Sequence, residues 1–204
     1  MFLKKSLLAL SACATTLAMS SAVQAATVTV SSITPTANIT YPVGGIPMDG
    51  SFPVQSSDWN ASSNASWTSN SESLLFTFDG AYSLTGVNVS FDNNDSYRIY
   101  VSTNGTDWTK LTTAYSFFGE QNWGMDTLST VASSSEYVED FSFTPTAANI
   151  RYAKIVAFDG DNQNAVGGVQ FLGTAAPVPE PETYAMMLAG LGALGFMSKR
   201  RKAS

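Results

Sequence analysis

The chemistry open to this chain is set first by what it lacks. It has no histidine, and its one cysteine is Cys13. Ser-His-Asp and Cys-His nucleophilic catalysis are therefore excluded, as is any histidine-ligated metal centre. Carboxylates remain, sixteen of them. Glycoside hydrolysis needs two carboxyl groups at a defined separation across a cleft, and no pair stands out, so the chain reads as non-catalytic. The segment "FFGEQNW" (117–123) does stand out, because Phe117, Phe118 and Trp123 gather there with Gln121 and Asn122 outside any strand pattern. An aromatic in such a loop stacks on the apolar face of a sugar ring while neighbouring amides bond the hydroxyls. Trp123 and Asn122 are thus ligand-binding candidates, with Trp67 in a second polar stretch. Asn93 and Asn94 in the run 92–95, and Asp161 and Asn162 in the run 159–162, add further polar groups. Asn and Asp also make turns for purely local reasons. Trp59 and Trp108 lie in motifs that read as core or core edge.

These loops need a frame, and the residue pattern supplies an all-β one. Apolar and polar residues alternate in "SLLFTF" (73–78), "VNVSF" (87–91), "YRIYVS" (97–102), "DFSF" (140–143) and "YAKIVAF" (152–158). Val87, Val89 and Phe91 share one face, and Tyr97, Ile99 and Val101 repeat the arrangement. Asn104-Gly105 is a two-residue hairpin signal, since both residue types tolerate positive φ. No helical periodicity appears between 26 and 177. Short strands with turn signals between them predict a β-sandwich.

Both ends of the chain differ from the middle. Lys4 and Lys5 precede an apolar run into Ala18, and Val23-Gln24-Ala25 closes it. That is a secretory signal peptide over residues 1–25, cut by signal peptidase between Ala25 and Ala26. A lipoprotein-type box at "LSAC" (10–13) is the rival site within it. At the other end, residues 184–197 are fourteen without a charge, followed by Lys199-Arg200-Arg201-Lys202. A helix of that length spans about 21 Å, short of the roughly 30 Å hydrocarbon core. The basic cluster nevertheless marks a cytoplasmic flank, so 184–197 is expected to anchor transiently in a membrane. Between the ends, residues 26–177 hold four basic residues (Arg98, Lys110, Arg151 and Lys154) against fourteen acidic ones, a net charge near −10. Such a surface repels nucleic acid and anionic lipid.

Two resemblances sharpen this reading. Val178-Pro179-Glu180-Pro181-Glu182, the apolar segment and the terminal basic cluster together resemble the PEP-CTERM sorting signal of Gram-negative bacteria that make exopolysaccharide. The resemblance implies processing by an exosortase near the Pro-Glu-Pro motif, and export to the cell surface or beyond. In the middle, "MDGSFPVQSSDWNASS" (48–63), "LLFTFDGAYSLTGVNVSF" (74–91), "YRIYVSTNGTDWTKL" (97–111) and "ANIRYAKIVAFDGDNQNAVGGVQFLG" (148–173) are similar, in order, to the motifs of discoidin, or coagulation-factor type C, domains. That similarity implies a galactose-binding-like jelly roll whose end loops bind carbohydrate, protein or lipid head groups. Many members also hold a structural calcium near the Asp-Gly turn, which makes Asp49 a candidate ligand. Gly168 stands where the family often has a glutamate ligand, and no other cofactor is implied.

The expected organisation is a signal peptide (1–25), a discoidin-like sandwich (26–174), a Pro/Glu linker (175–183), and an apolar helix with basic tail (184–204). The expected function is non-catalytic recognition of carbohydrate, such as exopolysaccharide or biofilm matrix, by an exported surface or matrix protein. The alternative is a structural or adhesion protein that binds other proteins.

Overall fold

The computed structural model describes residues 25–146, 149–177 and 185–191. All but Ala25 of the expected signal peptide (1–25), the motif residues Val178 to Glu182 and the basic tail lie outside the described residues. Among the described residues nine strands make up the body: β1 (Ala26–Thr27), β2 (Val30–Pro35), β3 (Ala65–Trp67), β4 (Ser73–Asp92), β5 (Ser96–Ser102), β6 (Thr109–Ala114), β7 (Met125–Ser129), β8 (Ile150–Asp159) and β9 (Asn164–Ala175). All named pairings are antiparallel. Among the described residues the only helix is 185–191, and no helix is long and apolar enough to cross a membrane.

The strands form two layers of a jelly-roll sandwich. One runs β2–β4–β8–β5–β6, and the other β7–β4–β9 with β1 and β3 on the far edge of β9. β4 belongs to both. Its first half pairs with β8 from Ser73↔Val156 to Thr77↔Tyr152, and its second half with β9 from Tyr82↔Ala175 to Phe91↔Val166. The two stretches expected as separate strands, 73–78 and 87–91, are thus one strand with a corner between them. Leu74, Phe76, Phe78 and Leu84 point inward at even positions, whereas Val87, Val89 and Phe91 do so at odd ones. A bulge between Leu84 and Gly86 makes the switch: one extra residue reverses which face each later side chain takes.

Aromatic rings close the gap between the layers. Phe171 of β9 meets Phe76 and Phe78 of β4 edge-on, at centroid distances of 5.5 and 5.2 Å. Tyr97 of β5 stacks on Phe91 at 4.2 Å and meets Trp67 of β3 edge-on at 6.4 Å. Apolar burial of this kind contributes about 25 cal/mol per Å² removed from water.

Two local expectations fail. Residues 140–143 form no strand; Phe141 is buried from a turn in which its N–H donates to the Val138 carbonyl at 3.0 Å. Asn104-Gly105 is not a two-residue hairpin either, because residues 103–108 join β5 to β6. Gly105 alone of the pair has a positive φ, 79°. The Asn104 side-chain carbonyl accepts the N–H groups of Thr106 and Asp107, both at 2.9 Å, and so shapes a wider loop.

Phe171→Ala would leave a cavity between Phe76 and Phe78. We expect a loss of about 3–5 kcal/mol, read as a lower urea midpoint with an unchanged slope.

Candidate functional site

Strand direction sorts the loops by end. β4 finishes, β5 begins, β8 finishes and β9 begins at one end of the sandwich, which therefore carries the turn 93–95 and the loops 115–124 and 160–163. Ala26 pairs with Gly173, and β9 stops at Ala175 beside Tyr82, so the chain enters and leaves the sandwich at the opposite end.

The loop end is tied together by polar bonds. Asn93 N–H donates to the Gly124 carbonyl at 2.9 Å, and its side-chain amide donates to the Gln121 carbonyl. Asn94 Nδ2 donates to Asp161 Oδ2 at 2.9 Å. Asp126, buried at the start of β7, accepts the N–H groups of Glu120 and Gln121 on Oδ2 at 2.7 and 3.0 Å. Gln55 Nε2 lies among Glu120, Asp126 and Glu136, at 3.1–3.3 Å from a carboxylate oxygen of each. With the base of loop 115–124 fixed this way, its aromatics face water. Trp123 is 57% exposed, Phe117 74% and Tyr115 40%. Tyr115 and Phe117 stack at 5.2 Å with 12° between their planes, and Phe118 meets both edge-on. Phe158 supports Tyr115 edge-on at 6.1 Å and carries the Arg98 guanidinium 3.8 Å above its ring.

The sequence candidates divide on this geometry. Trp123, Asn122, Asp161 and Asn162 are exposed at the loop end, and Asn94 is half-buried against Asp161. Asn93 is there too, but buried and spent on the Gln121 carbonyl. Trp67 offers no platform: it ends β3, pairs with Asn164, packs against Tyr97 and is 2% exposed. Sequence reasoning missed Tyr115 as part of the exposed shelf; the close spacing of Tyr115, Phe117 and Phe118 was the available signal. A cavity of about 530 Å³ lies at the opposite end, lined by groups such as Ser102, Asp107, Thr109 and Lys110, and has no aromatic wall.

The calcium implied near Asp49 does not fit. Asp49 Oδ1 turns back to accept its own turn's Ser51 N–H at 2.9 Å, and that bond holds its carboxyl below the usual range. A Cβ at Gly168 would meet the Ser51 carbonyl oxygen at 2.9 Å and Phe52 Cδ1 at 3.1 Å. The position that could supply a second carboxylate is packed shut.

Residues 177–202 match the PEP-CTERM protein-sorting motif, a mark of export by way of an exosortase. No curated protein matches the chain. Among solved structures, it is similar to the CBM32 of AlyQ in complex with 4,5-unsaturated mannuronic acid, at 18% identity over 72% of this chain and 97% of that one, TM-score 0.46. Truncated AlyQ with CBM32 and alginate lyase domains gives 16% identity over 76% of this chain, TM-score 0.49; this chain spans only 35% of it. An F5/8 type C domain from Bacteroides fragilis is 15% identical over 76% of this chain and 99% of its own, TM-score 0.42.

The electrostatics of the loop end are unusual beneath the shelf. Asp92 is 1% exposed and Asp95 2%. Burial, followed by the charges of Asp95 and Asp161, pushes Asp92 up to about 7. Burial and then Asp161 push Asp95 up to about 7 as well. The N–H groups of Asp161 and Asn162 oppose the rise at Asp95 without reaching hydrogen-bond geometry. A polysaccharide cannot reach groups this deep, so the pair does not serve acid–base hydrolysis. The consequence is for stability. Both carboxyls titrate near 3.8 when unfolded and near 7 when folded. Between those values the folded state binds more protons, so stability must fall as pH rises through that window. Asp49 and Glu72, held low by accepted hydrogen bonds, act below it. Calorimetry with chelator present should give a higher Tm at pH 5 than at pH 8, and Asp92→Asn with Asp95→Asn should flatten the slope; a Tm that climbs with pH would contradict this burial.

Proposed function

We propose that the protein is an exported, non-catalytic carbohydrate-binding module, displayed on the surface or in the extracellular matrix of a Gram-negative cell. The observation that carries the reading is the aromatic shelf of loop 115–124, with Trp123 57% and Phe117 74% exposed. Exposing that much aromatic surface is costly unless a partner covers it. A pyranose fits, because its axial C–H face covers a ring while hydroxyls project to the sides. Asn122 precedes Trp123 in the same loop, and Asp161 and Asn162 are exposed at the same end of the sandwich, with amide and carboxylate groups for those hydroxyls. The shelf lies opposite the chain's exit, so a tail-held molecule would point it outward.

In this reading signal peptidase cuts after Ala25 and an exosortase processes the tail near residues 178–182. The working unit is 26–174, the linker is 175–183, and 184–204 serves as a transient membrane handle. The polymer is a neutral exopolysaccharide or matrix glycan, since a body with net charge near −10 repels a polyanion over a Debye length of about 8–10 Å. A shallow shelf binds weakly, and display of many copies raises avidity.

The test is isothermal titration of the purified protein with neutral exopolysaccharide fragments. Saturable binding is expected, with Trp123→Ala weakening it at least about tenfold, or ~1.4 kcal/mol, and Trp67→Phe leaving it unchanged. No binding by folded protein, together with self-association through the same shelf, would replace this reading with a structural or adhesion role.

A further inference from the structure

We propose that a cleft lined by Trp59 and Trp67 is a second glycan subsite, so that the loop end takes a run of several sugars rather than one terminal sugar. The proposal rests on the carbohydrate reading of the shelf and names the kind of ligand that shelf takes. The cleft encloses about 280 Å³, close to the lower end of small-ligand pockets, about 300–1,000 Å³. That suits one sugar ring. Trp59 is half-buried in its lining and Trp67 buried, and Asn38, Thr40, Asn60 and Thr68 are exposed there. An indole face covers the apolar face of a pyranose while amides and hydroxyls bond its hydroxyls. The larger cavity at the opposite end offers hydroxyls and charges without an aromatic wall, so it lacks half of this chemistry.

The lining is held in place by the fold itself. Asn64, 1% exposed, donates its amide to the carbonyls of Asp58 and Trp59, both at 3.1 Å, and its N–H to the Ala61 carbonyl at 2.9 Å. That turn fixes the backbone of Trp59 and Asn60. Thr40 and Ser66 exchange backbone bonds at 2.8 and 2.9 Å, and Asn38 Nδ2 donates to Glu72 Oε1 at 2.7 Å. Little ordering is left for a ligand to impose.

The cleft and the shelf share one end of the sandwich and one stretch of chain. Trp67 pairs with Asn164, the first residue of β9, which puts the cleft at the loop end. Ser56 N–H donates to the Met125 carbonyl at 2.8 Å, and Met125 N–H to the Ser57 carbonyl at 2.9 Å. The Ser56 hydroxyl donates to Gln121 Oε1 at 2.6 Å. The segment bonded to the Trp123 loop therefore reaches Trp59 two residues after Ser57. Even with the intervening residues fully extended, the two tryptophan backbones lie within about 20 Å, inside the span of a short oligosaccharide. A ligand long enough to touch both makes its second contact intramolecularly.

Size-fractionated neutral exopolysaccharide, from monosaccharide to hexasaccharide, would be titrated into the full-length protein by calorimetry, with Tm followed for each variant. We expect the hexasaccharide to bind about tenfold or more tighter than the monosaccharide. Trp59→Ala should remove that gain and leave monosaccharide affinity as in the parent, whereas Trp123→Ala should weaken both. Trp59→Phe should restore most of the gain, because it keeps a ring; a tryptophan that only supports the fold would not sort ligands by length. Should Trp59→Ala not fold, the exposed Asn60→Ala reads the same length-dependent loss. Affinity independent of length, or a gain that survives in folded Trp59→Ala (in Asn60→Ala if that variant does not fold), would overturn this proposal while monosaccharide binding that depends on Trp123 leaves the shelf reading standing. No binding of any fragment is the failure of the shelf reading itself, and this proposal falls with it.

Discussion

A single strand that serves both layers is the constraint from which the rest of this molecule follows. β4 contributes backbone hydrogen bonds to β2 and β8 in one layer and to β7 and β9 in the other. Two layers joined through one chain segment cannot slide or twist independently. The bulge between Leu84 and Gly86 is what makes this compatible with a dry interior. Without it the side chains after the corner would take the opposite faces, turning Asn88 and Ser90 into the apolar core and Val87 and Val89 out of it. The corner also fixes polarity. β4 starts at the loop end, turns beside the chain's exit and returns, so its last residue, Asp92, lands under the loops.

A seam of aromatic contacts carries that frame into the site. Phe91, one residue before Asp92, stacks on Tyr97, and Tyr97 supports Trp67 across the sandwich. The Tyr97 hydroxyl accepts the Ala165 N–H at 3.0 Å and lies close enough to Asp95 and Asp92 for their charges to raise its own titration, after burial. The acids thus sit beside the buried, stacked pair Phe91 and Tyr97. Packing of this density leaves the turn 93–95 little room to relieve their burial by moving.

How much of this was legible depended on whether a feature was local. β5 and β8 were readable because Tyr97, Ile99 and Val101, and Ala153, Ile155 and Ala157, alternate cleanly over enough residues. The continuity of β4 was not, since Asp79-Gly80 reads as a turn and only pairing on both sides shows that the strand persists. Trp67 sits among Ser, Thr and Asn, and β3 is three residues long; its burial comes from β9 and Tyr97, which are distant in sequence. Phe141 alternates with polar neighbours yet is buried from a turn. At the site, aromatic and amide composition set 117–123 outside any strand, and these residues lie in the irregular loop 115–124 with Trp123 and Asn122 exposed. Asp92-Asn93-Asn94-Asp95 looked like a solvated turn, because nothing in four polar residues says that a glycine-bearing loop will close over them.

These two layers of the loop end make different physical demands. The aromatic shelf must stay exposed, and it can do so because Asp126 and Gln55 fix its base from below. The acids must stay buried, and that costs stability in proportion to how fully they ionise. Asn93 joins the two, since its backbone bonds Gly124 and its amide bonds the Gln121 carbonyl. A change in the charge state of Asp92 and Asp95 acts directly on the turn that holds Asn93. That turn in turn holds the residues flanking Asn122 and Trp123. The turn that carries the buried acids therefore also holds the loop that bears the exposed shelf, through two hydrogen bonds from one asparagine.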